Sequence, residues 1–176
     1  MRRIMLVDDE INVLHALQRT LRQAAFDDKI DIEIFTDPQP ALARCRDAAF
    51  DIVISDYRMP EMNGIDFLKA FKEIQSNTVR LVLSASTEFD TLMNAINQAE
   101  VFRYITKPWH DVELKETVQL ALARRDQALE ELRLFDQLRA QFGELSPQEL
   151  EAKRLEADEP GITKVNWGPD GSVHLD

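Results

Sequence analysis

Five short apolar runs punctuate the first 105 residues: Ile4 to Val7, Ile30 to Phe35, Ile52 to Ser55, Val79 to Ser84 and Val101 to Ile105. Four are nearly continuous in β-branched residues or leucine, the pattern of strands covered on both faces. The second alternates more and belongs nearer an edge. Between the runs, apolar residues recur at helical spacing: Val13, Leu14, Leu17 and Leu21; Ala41, Leu42 and Cys45; Ile65, Leu68 and Phe71; Leu92, Ala95, Ile96 and Ala99. Parallel neighbours need crossover connections that are almost always right-handed. The alternation therefore predicts an α/β fold, a doubly wound five-stranded parallel sheet with helices on both faces.

After Pro108 the pattern changes. From Asp111 to about Phe142 there is neither proline nor glycine, and apolar residues recur from Leu114 through Val118, Leu122, Leu129, Leu132, Phe135 and Leu138 to Phe142. One helix of that length would run about 48 Å, roughly twice what covers one face of a small sheet, so its second half must project or pair. Gly143 can close it as a left-handed cap. Ser146-Pro147-Gln148-Glu149 has the form of a capping box that opens a short helix to about Ala157. Glu159-Pro160-Gly161 then breaks the chain, and Ile162 to Leu175 reads as a terminal β-hairpin, with Val165 and Trp167 expected to dock it. The expected division is residues 1–125 as one α/β domain, 126–158 as a helical extension and 159–176 as the hairpin tail.

A strict seven-residue spacing from Val118 puts Arg125 and Arg139 in the seam of any coiled coil, so a two-stranded coiled coil is possible and not secured. Leu129, Leu132, Phe135, Leu138 and Phe142 can form a homodimer interface or pack on the helix and hairpin that follow. The dimer is the favoured expectation, since exposed apolar stripes usually mark association.

Composition narrows the function. The net charge of −11 disfavours binding to phosphate backbones and points to protein partners. No run reaches the roughly 20 apolar residues of a membrane span, and the first residues lack a signal-peptide hydrophobic region, so a cytoplasmic location is expected. The single cysteine, Cys45, excludes an internal disulfide and a multi-thiolate metal site.

Polar residues stand at the strand ends that matter: Asp8 and Asp9 after the first, Asp56 after the third, Ser84 after the fourth and Lys107 just beyond the fifth. Singly they have ordinary explanations, with Asp9 as a helix N-cap, Ser84 as a turn residue and Lys107 as a solvated charge. A parallel sheet, however, gathers them on one rim. Three carboxylates there repel one another unless a cation is present, and hard oxygen donors suit Mg²⁺ better than zinc. Phosphoryl transfer gives such a set its roles: Asp56 as nucleophile, a metal and Lys107 to neutralise charge, and the Ser84 hydroxyl to grasp the product.

Four stretches, Leu6-Val-Asp-Asp-Glu10, Asp56-Tyr-Arg-Met-Pro-Glu-Met-Asn-Gly64, Leu83-Ser-Ala85 and Thr106-Lys-Pro108, resemble the receiver domains of two-component response regulators over residues 1 to about 125. The resemblance implies a CheY-like (flavodoxin-like) fold and Mg²⁺ held by Asp8, Asp9, Asp56 and the backbone carbonyl of Arg58. It further implies phosphorylation of Asp56 by a histidine kinase or phosphotransfer protein, a phosphoryl contact from Lys107, a cis Lys107-Pro108 peptide, and a coupled switch of Ser84 and Tyr104. Ser84 stands where threonine is commoner, which keeps the hydroxyl and removes a methyl. Arg58 is a long cation where smaller or neutral residues are also common. The run Thr106-Lys-Pro-Trp109, with Asp56-Tyr-Arg-Met-Pro60, is similar to receivers joined to HD-type phosphohydrolase or transcriptional output domains.

The expectation is a response regulator, not an enzyme, in which phosphorylation of Asp56 controls dimerisation or binding of a protein effector through the extension. The rival is a constitutive assembly protein that uses the receiver as a rigid platform. The two differ in whether association responds to phosphorylation.

Overall fold

The computed structural model describes residues 1–85, 93, 97–143, 146–158, 166–167 and 173–174. Its core is a five-stranded, all-parallel sheet built from β1 (Arg2–Val7), β2 (Ile30–Phe35), β3 (Ile52–Asp56), β4 (Val79–Ala85) and β5 (Arg103–Lys107), in the order β2-β1-β3-β4-β5. The order reverses between β1 and β3, so the crevice lies above the carboxyl ends of those two strands. β1, β3 and β4 occupy the centre and β3 is buried throughout, which is why their sequences show no alternation. β2 lies at one edge, as its alternating sequence predicts.

β5 forms the other edge, and here the structure corrects the expectation of a doubly covered strand over 101–105. Pairing begins at Leu81↔Arg103 and runs to Ala85↔Lys107, and Arg103 and Tyr104 are exposed. Val101 is buried and the Phe102 N–H donates to the Arg80 carbonyl, so these apolar residues serve the approach to the strand.

Helices α1 (Ile11–Gln23), α2 (Pro38–Arg44) and α3 (Gly64–Ile74) precede α4 (Asp111–Gln141) and α5 (Pro147–Asp158). Of the helix expected around Leu92 to Ala99, residues 93 and 97–99 are helical and the remainder lies outside the described residues. Two cores result, one on each face of the sheet. Met5, Val7 and Val53 meet Phe67, Leu68 and Phe71 on one side, whereas Ile4, Leu6 and Ile54 meet Leu14, Leu17, Leu114 and Val118 on the other. Burying a side chain of that size stabilises the fold by about 1.5–3 kcal/mol.

Trp109 packs against the second core, and its Nε1 donates to Thr20 Oγ1 at 3.4 Å, as befits an anchor at the start of α4. Cys45 caps α2 rather than lying within it. It is buried, its thiol donates to the Leu42 carbonyl at 3.1 Å, and burial pushes its pKa up to about 11.

The extension begins without a break. Leu114, Val118, Ala121, Leu122 and Arg125 are buried along the first half of α4. Gly143 closes the helix at φ 74°, and the capping box forms: the Ser146 N–H donates to Glu149 at 2.7 Å and the Glu149 N–H donates to Ser146 Oγ at 3.2 Å. α5 then lies back along α4.

That return divides the expected stripe. Half-buried Leu129 and Leu132, still 39 % exposed, line the space between α4 and α5, while Phe135, Leu138 and Phe142 are exposed at 60, 51 and 80 %, joined by Leu134. At 100° per residue these last four cluster on the side of α4 away from the sheet and α5. Of the tail, Asn166–Trp167 pairs antiparallel with Val173–His174. The rest of the expected hairpin, with the docking of Val165 and Trp167, lies outside the described residues and side chains.

Candidate functional site

The chain reversal at β1 and β3 sets Asp8 immediately after one strand and Asp56 at the end of its neighbour. Asp8 is fully buried, Asp56 is 6 % exposed and Asp9 is exposed. Their carboxylates each offer an oxygen within 4.8 Å of the others. Asp9 is not the helix cap. Glu10 holds that position, and Asp8 Oδ1 accepts the Glu10 N–H at 2.8 Å, which fixes the turn from β1 into α1.

β5 brings Lys107 across from two strands away. Its Nζ stands 2.6 Å from Asp56 Oδ1 and 2.8 Å from Asp8 Oδ2, and the Lys107-Pro108 peptide is cis. Burial works against the Lys107 charge, but hydrogen bonds to Asp56 and Asp8 outweigh it and raise its pKa. Burial likewise raises the Asp56 pKa; the Lys107 hydrogen bond opposes the shift, and the charges of Asp8 and Asp9 add to it. One ammonium against three carboxylates leaves the cluster negative. The donors are all hard oxygens at the separation a divalent cation bridges, so the residues fit Mg²⁺.

Ser84 is buried beside this rim, paired in register with Thr106, and its hydroxyl donates to the Ala85 carbonyl at 3.1 Å. Tyr104 lies on the same edge strand with its side chain 40 % exposed. Arg58 is exposed in the loop after β3.

One residue of the rim was quoted in the sequence motif without a role. Gly64 begins α3, its N–H donates to the Tyr57 carbonyl at 2.8 Å, and a Cβ there would drive into the Asp56 carbonyl and lie 3.1 Å from Tyr57 Cα. The absence of a side chain thus lets the loop close against the end of β3, next to Asp56. The signal available in sequence was the fixed spacing from Asp56 to Gly64.

The chain belongs to the response regulator receiver domain family, whose model matches residues 4–119. It is 33 % identical over 124 residues to the hydrogenase transcriptional regulatory protein HoxA of Bradyrhizobium diazoefficiens, which covers 68 % of this chain and 24 % of that protein. It is also 33 % identical over 126 residues to the regulatory protein AtoC of Escherichia coli, covering 68 % of this chain and 25 % of AtoC. The chain thus spans about a quarter of the length of these relatives. Among solved structures it is similar to the signal receiver domain of an HD domain-containing protein from Pseudomonas fluorescens, with TM-score 0.67, 29 % identity and coverage of 73 % of this chain and 92 % of that one. An adenylate cyclase structure from Rhodopirellula baltica gives TM-score 0.69 at 29 % identity, covering 77 % and 97 %. The fold is CheY-like, and among the described residues no helix is long and apolar enough to cross a membrane.

Proposed function

We propose that this chain is a phosphorylation-operated response regulator that receives a phosphoryl group on Asp56 from a histidine kinase or phosphotransfer protein and signals through the extension, residues 126–158, to a protein partner. The observation that carries the reading is the Lys107 ammonium held between Asp56 and Asp8 within a three-carboxylate cluster. A structural ion pair does not need three acids around one base. Asp56 Oδ attacks phosphorus, the bond from phosphorus to the donor's imidazole nitrogen breaks, and the imidazole leaves with that electron pair. Asp8, Asp9, Asp56 and the Arg58 carbonyl would hold Mg²⁺, which when bound supplies charge neutralisation on the transferring oxygens. Lys107 then exchanges a carboxylate partner for a phosphoryl oxygen. Ser84 turns its hydroxyl from the Ala85 carbonyl to the new acceptor, and Tyr104 moves inward behind it.

The output of this reading is association. Leu134, Phe135, Leu138 and Phe142 present an apolar face on the projecting part of α4, which supports a homodimer through that helix or docking of a protein effector. The net charge of −11 supports a protein rather than a nucleic acid as the target, and the chain is read as a cytoplasmic signalling protein without catalytic turnover of its own. The test is molar mass in solution with Mg²⁺, with and without beryllofluoride, for wild type and Asp56→Asn. A shift in wild type alone supports the switch. A dimer that ignores both the ligand and the substitution favours the constitutive assembly reading.

A further inference from the structure

A stripe of exposed side chains runs along α4 on the side turned away from its buried face. At 100° per residue Leu120, Arg124, Glu131, Phe135, Leu138 and Phe142 fall within about 60° of one another, and all six are exposed. Leu120 is 46 % exposed, and with Phe135, Leu138 and Phe142 it offers roughly 500 Å² of apolar surface, more than an isolated monomer usually leaves in one strip. The Gln127 amide donates to Glu131 at 2.9 Å and holds that carboxylate on this side of the helix.

The stripe is spaced symmetrically about the midpoint between Gln127 and Ala128. Leu120 lies as far before that point as Phe135 lies after it, and Arg124 mirrors Glu131. Two copies of α4 crossing antiparallel there set Arg124 of each beside Glu131 of the other, and Leu120 beside Phe135. A parallel pair would oppose like charges at both positions, which disfavours it. The antiparallel register also carries the end of each extension to the other receiver. Leu138 falls opposite Thr117 and Phe142 opposite Glu113, and both of those residues line a cleft of about 440 Å³ with Tyr104, Trp109 and His110. Phe142 thus meets a cleft whose wall is aromatic, the surroundings its ring favours.

We propose that the stripe is covered by a second copy of this chain, in a two-fold antiparallel pair of α4 helices that matches Arg124 to Glu131 and seats Phe142 of each extension in the Tyr104 and Trp109 cleft of the other receiver. Charge complementarity fixes the direction. The apolar strip, with its polar neighbours, brings the contact towards the roughly 800 Å² per partner of a stable interface. Inward movement of Tyr104 reshapes the cleft that receives Phe142, so the same contact reports the state of the switch. The geometry deepens the homodimer reading above; its control by phosphorylation rests on the Asp56 reading, and its register does not.

Sedimentation equilibrium of the full chain in Mg²⁺, with and without beryllofluoride, measures the pair. Arg124→Glu or Glu131→Arg alone sets like charges together in both contacts and weakens the dimer about tenfold or more, whereas the two substitutions in one chain restore it. Both positions are exposed, so the receiver keeps its fold. Disulfide formation reads the direction, with the buried Cys45 out of reach. A mixture of Leu120→Cys and Phe135→Cys chains cross-links between the two. Leu120→Cys alone does not, because its two copies stand about 22 Å apart along the axis, beyond the span of a disulfide. The proposal is overturned if wild type stays monomeric in both states, which assigns the stripe to a different protein. It is equally overturned if the single charge reversals leave the dimer unchanged, or if Leu120→Cys cross-links to itself. A dimer that follows the charge and cross-linking pattern yet ignores beryllofluoride upholds the interface and removes its control by Asp56.

Discussion

Replacing Asp56 by asparagine should stabilise the metal-free protein. With an effective dielectric constant near 20, two carboxylate oxygens within 4.8 Å of each other repel by about 3.5 kcal/mol or more, and the exposed Asp9 contributes less than the buried Asp8. The Lys107 contact at 2.6 Å attracts Asp56 by about 6 kcal/mol on the same scale. These terms nearly cancel, so desolvation of a carboxylate that is 6 % exposed decides the balance. The Asn side chain escapes that penalty, and Lys107 keeps Asp8 at 2.8 Å. We expect a gain of about 1–2 kcal/mol, seen as a rise of roughly 2–8 °C in Tm in EDTA.

The pH dependence follows with a definite sign. Burial raises the folded-state pKa of Asp56 above its ordinary carboxylate value. Its contribution to stability is therefore full below the unfolded value and is lost as pH rises through the folded one. The advantage of Asp56→Asn should be greatest at neutral pH and should shrink on acidification towards the ordinary carboxylate pKa. Mg²⁺ at ten times its dissociation constant adds about 1.4 kcal/mol to wild type and less to the variant, so the gap narrows. Calorimetry across pH, with and without Mg²⁺, reads all of this. A variant less stable than wild type in EDTA, or one stabilised equally by Mg²⁺, would refute the charge argument.

Gly64→Ala forces the new methyl into the Asp56 carbonyl and should cost about 2–3 kcal/mol in urea unfolding, with slower phosphoryl uptake by the displaced aspartate. Ser146→Ala removes the hydroxyl of the capping box and should cost α5 about 1 kcal/mol, visible as a loss of helical circular dichroism with the receiver transition unchanged. Cys45, buried with its pKa pushed up to about 11, should resist a thiol reagent at pH 8 until denaturant unfolds the receiver, so labelling and unfolding should share a midpoint.

The central strands were legible because burial on both faces leaves only one kind of sequence, as Ile52 to Ser55 shows. The edge strand was not, because Arg103 and Tyr104 need no apolar character there, while Val101 and Phe102 do their packing outside the ladder. Candidate chemistry was legible as acids and a lysine at strand ends, since parallel topology alone gathers Asp8, Asp56 and Lys107. The place of Arg125 was visible only in part. Seven-residue spacing put it in the same row as Val118, and it is indeed buried there. What surrounds it depends on Asp51 and α5, which approach from distant parts of the chain, and no periodicity along one helix records that. The division of the α4 stripe between Leu129 and Leu132 on one side and Phe135, Leu138 and Phe142 on the other has the same origin, because α5 selects the face it covers.

The most direct test of the central claim is intact-protein mass after exposure to a small acyl phosphate donor, comparing wild type with Asp56→Asn in Mg²⁺ and in EDTA. The account predicts one base-labile phosphoryl group on wild type in Mg²⁺ and none in the other three conditions. Equal labelling of Asp56→Asn, or wild type that stays unmodified while Mg²⁺ is bound, would contradict it.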